Sequence, residues 1–256
     1  MAQTAPLAGR VALVTGGGRG IGRAIALGLA QDGADIAVNY RRDESAAKQT
    51  VAEIEALGRR AVACAGSVDA YDDCRRVVET AISALGAISI LINNAGIASR
   101  GQSVAQTDPA ELERVVRTHA FGPHHLCQLV LPGMRGAGRG DIVMISSAAT
   151  RSNSANGAPY NMGKAALEAL AFTLAKEERA HGIRVNVVAP GLVETEMGKR
   201  LMKAVAGVDD LRTLDPAMPF GRVCQPEDVA NVVRFFCSEA GSYVTGEKLY
   251  VHGGGA

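Results

Sequence analysis

Two side chains four positions apart hold most of the chemical interest of this 256-residue sequence: Tyr160 and Lys164, in the run Tyr160-Asn-Met-Gly-Lys164. On a helix, residues at i and i+4 share a face. A free phenol ionises near pH ~10, too high for easy proton transfer at neutral pH. An adjacent ammonium stabilises the phenolate and lowers that value. The pair is therefore expected to move a proton to or from a substrate oxygen. Ser147 precedes Tyr160 by thirteen residues. Its hydroxyl is expected to hydrogen-bond the same oxygen and stabilise charge that develops there. Alone, a tyrosine and a lysine on a long helix are ordinary surface residues, so the weight of this trio depends on what lies upstream.

Upstream lies a glycine loop, Thr15-Gly-Gly-Gly-Arg-Gly-Ile-Gly22. Gly16, Gly20 and Gly22 are the spaced glycines, with Gly18, Arg19 and Ile21 between them. The loop follows an apolar run and opens a helical pattern. A strand, a tight glycine turn and a helix let the backbone approach a pyrophosphate. The helix N-terminus then offers free N–H groups and partial positive charge. In that context the pattern points to a dinucleotide rather than to a plain turn.

The elements that must position these residues alternate along the chain. Short apolar, β-branched runs read as strands at Arg10–Thr15, Ile36–Val38, Ala61–Ala65, Ile88–Ile92, Asp141–Ser146, Ile183–Val188 and Lys248–Val251. Helical patterns lie at Ile21–Gln31, Glu44–Leu57, Ala70–Leu85, Pro109–Leu131, Pro159–Ala180 and Pro226–Ser238. Strict βα alternation with non-alternating apolar strands predicts an α/β fold, a doubly wound parallel sheet of about seven strands with helices on both faces. A single domain over 1–256 is expected, since neither a low-complexity linker nor a short repeat is present. The stretch 191–226 is too long for an ordinary connection and reads as a substrate lid with helical pieces.

Composition narrows the class. Lys+Arg 27 against Asp+Glu 26 leaves +1, so no charge excess points to nucleic acid or an anionic membrane as partner. The absence of Trp, with aromatics at 4%, argues against base-stacking platforms. No apolar run reaches the ~18 residues a membrane span needs. Met1–Arg10 lacks the pattern of a signal peptide. Five scattered cysteines without a CxxC pair read as reduced thiols in a cytoplasmic protein. His124 and His125 are adjacent and share no face, and no HExxH spacing occurs, so no metal is expected.

The spacing Gly-x3-Gly-x-Gly resembles that of the short-chain dehydrogenase/reductase family, and further motifs extend the resemblance over nearly the whole chain. Asn93-Asn-Ala-Gly96 follows the fourth strand as the family's NNAG does. Tyr160-x3-Lys164 and Ser147 match its catalytic set, Pro190-Gly191 with Thr195 its PG-x-x-x-T segment, and Val244-Thr-Gly246 with the terminal glycines its last strand. The resemblance implies a Rossmann fold and a homotetramer. It also implies nicotinamide-dependent interconversion of a carbonyl and an alcohol, with Tyr160 as general acid or base and Lys164 on the nicotinamide ribose. Contacts to the cofactor are implied for Gly16, Gly18, Arg19, Gly20, Ile21, Gly22, Tyr40, Arg41, Arg42, Ser67, Val68, Asn94, Ala95, Gly96, Tyr160, Lys164, Pro190, Gly191, Val193 and Thr195.

Three departures from the family pattern matter. NAD-preferring members usually carry an Asp at the end of the second strand. Here Val38-Asn-Tyr-Arg-Arg42 has none, and Arg19 sits within the glycine loop. A guanidinium fork suits a 2′-phosphate dianion, so NADP(H) is the expected cofactor. Ser67 replaces the Asp that accepts from the adenine amino group. His119 replaces an Asn that holds a water linking the lysine to solvent. A histidine titrates near ~6.5, so a relay through His119 would make activity fall at acidic pH.

The loop 148–158 is mostly small and polar. Met197, Leu201, Met202, Met218 and Phe220 of the lid read equally as pocket lining or as core anchors. Together these features suit a small-molecule ketone of 3-oxoacyl or related type, reduced to a secondary alcohol. A polyol, sugar or steroid alcohol dehydrogenase is the competing reading. A cofactor-binding regulator is the third, opposed by the intact Ser147, Tyr160 and Lys164.

Overall fold

The computed structural model describes residues 5–254. Met1–Thr4 of the N-terminal reading and Gly255 of the terminal glycines lie outside them.

Seven strands form one parallel sheet in the order β3-β2-β1-β4-β5-β6-β7. They are β1 (Val11–Val14), β2 (Asp35–Tyr40), β3 (Ala61–Ala65), β4 (Ile90–Asn93), β5 (Gly140–Ile145), β6 (Ile183–Pro190) and β7 (Lys248–Val251). The strands are apolar on both faces because each face carries its own helical layer. Val11 and Leu13 of β1 join one core and Ala12 and Val14 the other, the two-residue alternation of an extended chain. The helices α1 (Gly20–Gln31), α2 (Glu44–Ala56) and α9 (Pro226–Cys237) supply Ile25, Ile54 and Phe236 to one core. The helices α3 (Tyr71–Leu85), α5 (Gly122–Ala137) and α7 (Ala158–Glu178) supply Val77, Leu126 and Leu167 to the other. This is the Rossmann arrangement the sequence predicts. Strand order reverses between β1 and β4, and such a switch opens a crevice at the carboxyl ends of the strands.

Local chemistry fixes the helix starts. Asp43 caps α2 by accepting from the Ala46 N–H at 3.1 Å. Asp108 caps α4 (Pro109–Val116) by accepting from Ala110 at 2.9 Å. Gln225 and Asp228 close a capping box on α9. By contrast, α1 has neither a side-chain cap nor an acidic residue in its first turn.

One element departs from the sequence reading. Pro109–Leu131 is not a single helix: α4 ends at Val116, a π turn spans Arg117–Phe121, and α5 continues to Ala137. A π turn adds one residue to a helical turn and leaves the apolar periodicity almost unchanged, so the pattern conceals it. The stretch 191–226 holds α8 (Glu196–Ala206) and short 3-10 turns, as expected. Its base is pinned by a parallel bridge between Val193 and Cys224. Among the described residues no helix is long and apolar enough to cross a membrane.

Candidate active site

The glycine loop lies in the crevice at the β1/β4 switch. A Cβ on Gly22 would stand 2.2 Å from the Gly16 carbonyl oxygen and 2.6 Å from Asn94 Nδ2, so no other residue fits there. Asn94 Nδ2 donates to the Thr15 carbonyl at 2.8 Å. The Thr15 hydroxyl in turn accepts the N–H groups of Asn94 and Ala95, both at 2.9 Å. Asn94, Ala95 and Gly96 are thereby locked against the loop. The first turn of α1 then opens onto the crevice with no side-chain cap and no acidic residue of its own. These features fit a pyrophosphate.

The far rim is basic. Arg19 is mostly exposed and stands 3.7 Å from the carboxylate of Asp43, the N-cap of α2 that follows Arg41 and Arg42 in sequence. Asn39, in the position where an acid is absent, is buried. It accepts from the Gly16 N–H at 3.4 Å and donates to Cys64 and Gly66 carbonyls at 3.1 and 3.0 Å. Ser67 and Val68 line a small recess with Asn39 and Gly66. The near wall comes from Pro190, Gly191, Val193 and Thr195. Gly191 donates to the Val251 carbonyl at 3.0 Å. Thr195 caps α8 by accepting from Gly198 at 3.1 Å, and its methyl group packs at Gly20.

Tyr160, Lys164 and Ser147 meet at the carboxyl end of β5. Helix α7 places Lys164 one turn beyond Tyr160, with its ammonium 5.8 Å from the phenol ring centre. The electrostatics differ from the sequence expectation. Burial raises the Tyr160 phenol above its ordinary pKa of 10, and only the Ser147 hydroxyl beside it works the other way. Lys164 is not among the groups that shift it; burial pushes the lysine itself down to about 7, partly offset by the charge of Glu168. The ammonium also donates to the Ile145 carbonyl at 2.6 Å. Burial therefore works against the charge on Lys164. Proximity was legible in the i, i+4 spacing; the desolvation that reverses the effect was not.

His119 sits on the π turn, with its ring centre 5.1 Å from that of Tyr160 and nearly perpendicular to it. The side chain fits because Gly96 and Gly163 flank it: a Cβ on Gly96 would approach ring atom Cε1 to 2.7 Å, and one on Gly163 would stand 2.8 Å from the His119 Cβ and 3.4 Å from the ring's Cγ. Nε2 lies 2.8 Å from the Ile97 carbonyl oxygen. That short contact assigns the ring proton to Nε2 and leaves Nδ1 as an acceptor, buried and without a partner among the described residues. Burial, with Lys164 adding to it, drops the pKa to about 3. The expected titration near ~6.5 is therefore corrected: the imidazole stays neutral through the working range.

Comparison with known proteins bears on this geometry. The family model described as enoyl-(acyl carrier protein) reductase matches residues 16–255. The chain is 36% identical over 254 residues to Dehydrogenase/reductase SDR family member 4 of Homo sapiens, covering 99% of this chain and 90% of that one. It is 34% identical over 244 residues to the 3-oxoacyl-(acyl-carrier-protein) reductase of Staphylococcus epidermidis, covering 95% and 97%. The solved 7α-hydroxysteroid dehydrogenase complexed with NADH and 7-oxo glycochenodeoxycholic acid is similar at a TM-score of 0.89 and 34% identity, over 100% of this chain and 98% of that one. The chain belongs to the short-chain dehydrogenase/reductase family. It is an oxidoreductase of that family, built for a nicotinamide cofactor.

Within this short-chain dehydrogenase/reductase several residues escaped the sequence reading. Asn39 drew attention only as a missing acid, although it ties the glycine loop to β2 and β3. Thr15 joins β1 to the Asn94 segment. Glu168 and Lys248 form a half-buried pair that also holds Ser146 and Thr150, on either side of Ser147. Each bonds across a long sequence separation, which no local pattern reports. The lid residues Met197, Leu201 and Phe220 are exposed, with Met202 and Met218 half-buried, so none is a core anchor. That role falls to Leu211, fully buried.

Proposed function

We propose that this chain is an NADP(H)-dependent reductase that converts a ketone, of 3-oxoacyl or related type, into a secondary alcohol. The convergence of Ser147, Tyr160 and Lys164 at the crevice beside an uncapped glycine loop carries this reading. The loop Gly16, Gly18, Gly20, Ile21 and Gly22 and the segment Asn94–Gly96 would hold the pyrophosphate side. Pro190–Thr195, Tyr160 and Lys164 would hold the nicotinamide side, and Ser67 with Val68 the adenine. When bound, the reduced nicotinamide supplies the hydride.

The remaining work falls to the protein. The Ser147 hydroxyl donates to the ketone oxygen and polarises it. The Tyr160 phenol, neutral at pH 7 and kept so by burial, donates its proton to that oxygen as negative charge develops there. Lys164, charged in part, faces the resulting phenolate. His119 takes the position of the family's Asn. Its unpartnered Nδ1 accepts from a water that returns a proton toward Lys164. Residues 191–226 close over the substrate as a lid and exclude bulk water.

Preference for NADP(H) rests on Arg19, Arg41 and Arg42 around the end of β2, where Asn39 and Tyr40 stand in place of the strand-end acid of NAD-preferring members. The reverse reaction on a steroid alcohol is the second reading, favoured by the similarity to a hydroxysteroid dehydrogenase. A homotetramer, with the α4–α5 and α7 helices and the region of the C-terminal strand β7 in its interfaces, is the assembly proposed. The free cysteines, mostly buried, fit a reducing cytoplasm.

A turnover panel tests the reading. Purified protein is assayed with ketones and secondary alcohols against NADPH, NADH and their oxidised forms. Ketone reduction with NADPH at least tenfold better in kcat/KM than with NADH is expected. A preference for NADH, or turnover restricted to alcohols, overturns it.

A further inference from the structure

Directly behind Ser147 lies a cluster of ionic and hydroxyl groups that the proposed reaction does not use. Helix α7 grips the end of β5 at two consecutive residues. Lys164 Nζ donates to the Ile145 carbonyl at 2.6 Å, and one turn further along the Glu168 carboxylate accepts from the Ser146 hydroxyl at 2.5 Å. The same carboxylate lies 2.9 Å from the Thr150 hydroxyl, in the short α6 (Ala149–Ser152) that follows Ser147. Lys248 of the edge strand β7 completes the group. Its ammonium stands 2.7 Å from Glu168 Oε1, 2.8 Å from Oε2 and 2.8 Å from Thr150 Oγ1. Both charged side chains are largely buried, 13% exposed for Glu168 and 15% for Lys248.

Stability alone gives little reason for such a pair. Withdrawing two charges from water costs about as much as their attraction returns, and an apolar pair of equal volume commonly does as well. Placement supplies another reason. The carboxylate joins four elements around the Ser147 peptide: the end of β5 through Ser146, the residue after the strand, α6 through Thr150, β7 through Lys248, and its own α7. It is also the i+4 neighbour of Lys164. The other titratable or charged groups around the cluster are Tyr160 on α7, Arg151 on α6, Tyr250 on β7 and His252 just after it. Arg151 and Lys248 lie 5.8 and 4.6 Å from the centre of the Tyr250 ring, against which His252 stacks.

We propose that Glu168 and Lys248 are positioning residues for the oxidoreductase site. The carboxylate fixes the Ser147 loop onto the helix that carries Tyr160 and Lys164, and Lys248 sets how much of its negative charge Lys164 feels. The proposal rests on the catalytic reading only for its kinetic consequence; the charge coupling is measurable without turnover.

Three variants separate charge from tether. Glu168→Gln removes the charge and keeps an acceptor for Ser146. Lys248→Met removes the countercharge and leaves the carboxylate. Glu168→Ala removes charge and tether. In the full chain, the Lys164 titration is followed by NMR with 13Cε-lysine and assigned from the signal that Lys164→Met deletes. Glu168→Gln is expected to move that titration to lower pH and Lys248→Met to higher pH, each by about one unit. In turnover with NADPH, the alkaline limb of kcat moves in the same two directions. Glu168→Ala lowers kcat about 10–100-fold while NADPH affinity stays within about twofold.

A purely structural role would move both titrations the same way, or neither, with losses that follow melting temperature. That result overturns the proposal. Opposite NMR shifts without turnover in the wild type would leave the coupling standing and remove the reductase reading instead. Opposite shifts with kcat unchanged in Glu168→Ala would overturn the tether.

Discussion

The floor and the rim of this crevice are built on opposite terms. The floor consists of ionisable groups withdrawn from water: Lys164 pushed down to about 7, His119 down to about 3, and Glu168 against Lys248. Most polar atoms there are held by hydrogen bonds or ion pairs, often across many residues of sequence, and His119 Nδ1 is left unpartnered among the described residues. The rim consists of Arg19, Arg41 and Arg42 on one side and Met197, Leu201 and Phe220 on the other, all largely exposed. Its groups remain solvated and act only when a ligand arrives. The difference teaches where function costs stability. The floor strains the folded state in order to hold reactive groups, whereas the rim costs almost nothing and sets selectivity.

Breaking the floor should give the largest effect, with opposite signs for activity and stability. Lys164→Met is expected to lower kcat at least about 100-fold. It should also raise unfolding free energy at pH 7 by about 1–3 kcal/mol, since a group that resists charging inside the fold is removed. Steady-state kinetics and urea unfolding check the two halves. Loss of stability together with activity would mean that the lysine is chiefly a structural strut.

Breaking the rim should do the reverse. The double replacement Arg41→Ala with Arg42→Ala is expected to raise KM for NADPH about 10–100-fold and leave KM for NADH within about twofold. Stability should change by less than about 0.5 kcal/mol, as for exposed surface sites. Equal losses with both cofactors would remove the arginines from the 2′-phosphate.

His119 sharpens the comparison with a smaller effect. Because its folded pKa is depressed, the unfolded chain binds the proton more readily. Stability should therefore decline as pH falls from about 6.5 toward 3. His119→Asn should flatten that decline in acid unfolding curves by an amount on the order of a few kcal/mol. The wild-type kcat profile should show no acidic limb near pH ~6.5; a limb there that disappears in His119→Asn would return the imidazole to a titrating role.

Much of this was legible in the sequence, for a physical reason. Tyr160-x3-Lys164 and the spacing of Gly16, Gly20 and Gly22 are local patterns, and local geometry fixes what they can do. The apolar strands were equally plain, since a parallel sheet buried on both faces needs unbroken Val and Ile runs. The π turn at Arg117–Phe121 was hidden, because one inserted residue hardly disturbs the apolar stripe of α4 and α5, yet it is what delivers His119 to Tyr160. Glu168 and Lys248 were hidden for a different reason. They lie 80 residues apart and meet only once β7 joins β6 at the edge of the sheet. The sign of the Lys164 effect was beyond any spacing argument, since burial decides it and burial belongs to the whole fold.

The most direct measurement is the single-turnover rate of Tyr160→Phe beside the wild type, with NADPH affinity followed by fluorescence on the same samples. Loss of a general acid predicts a rate lower by about 10²–10⁴-fold with affinity within about threefold. A variant that reduces ketone at the wild-type rate would contradict the account, because the proton must then come from elsewhere.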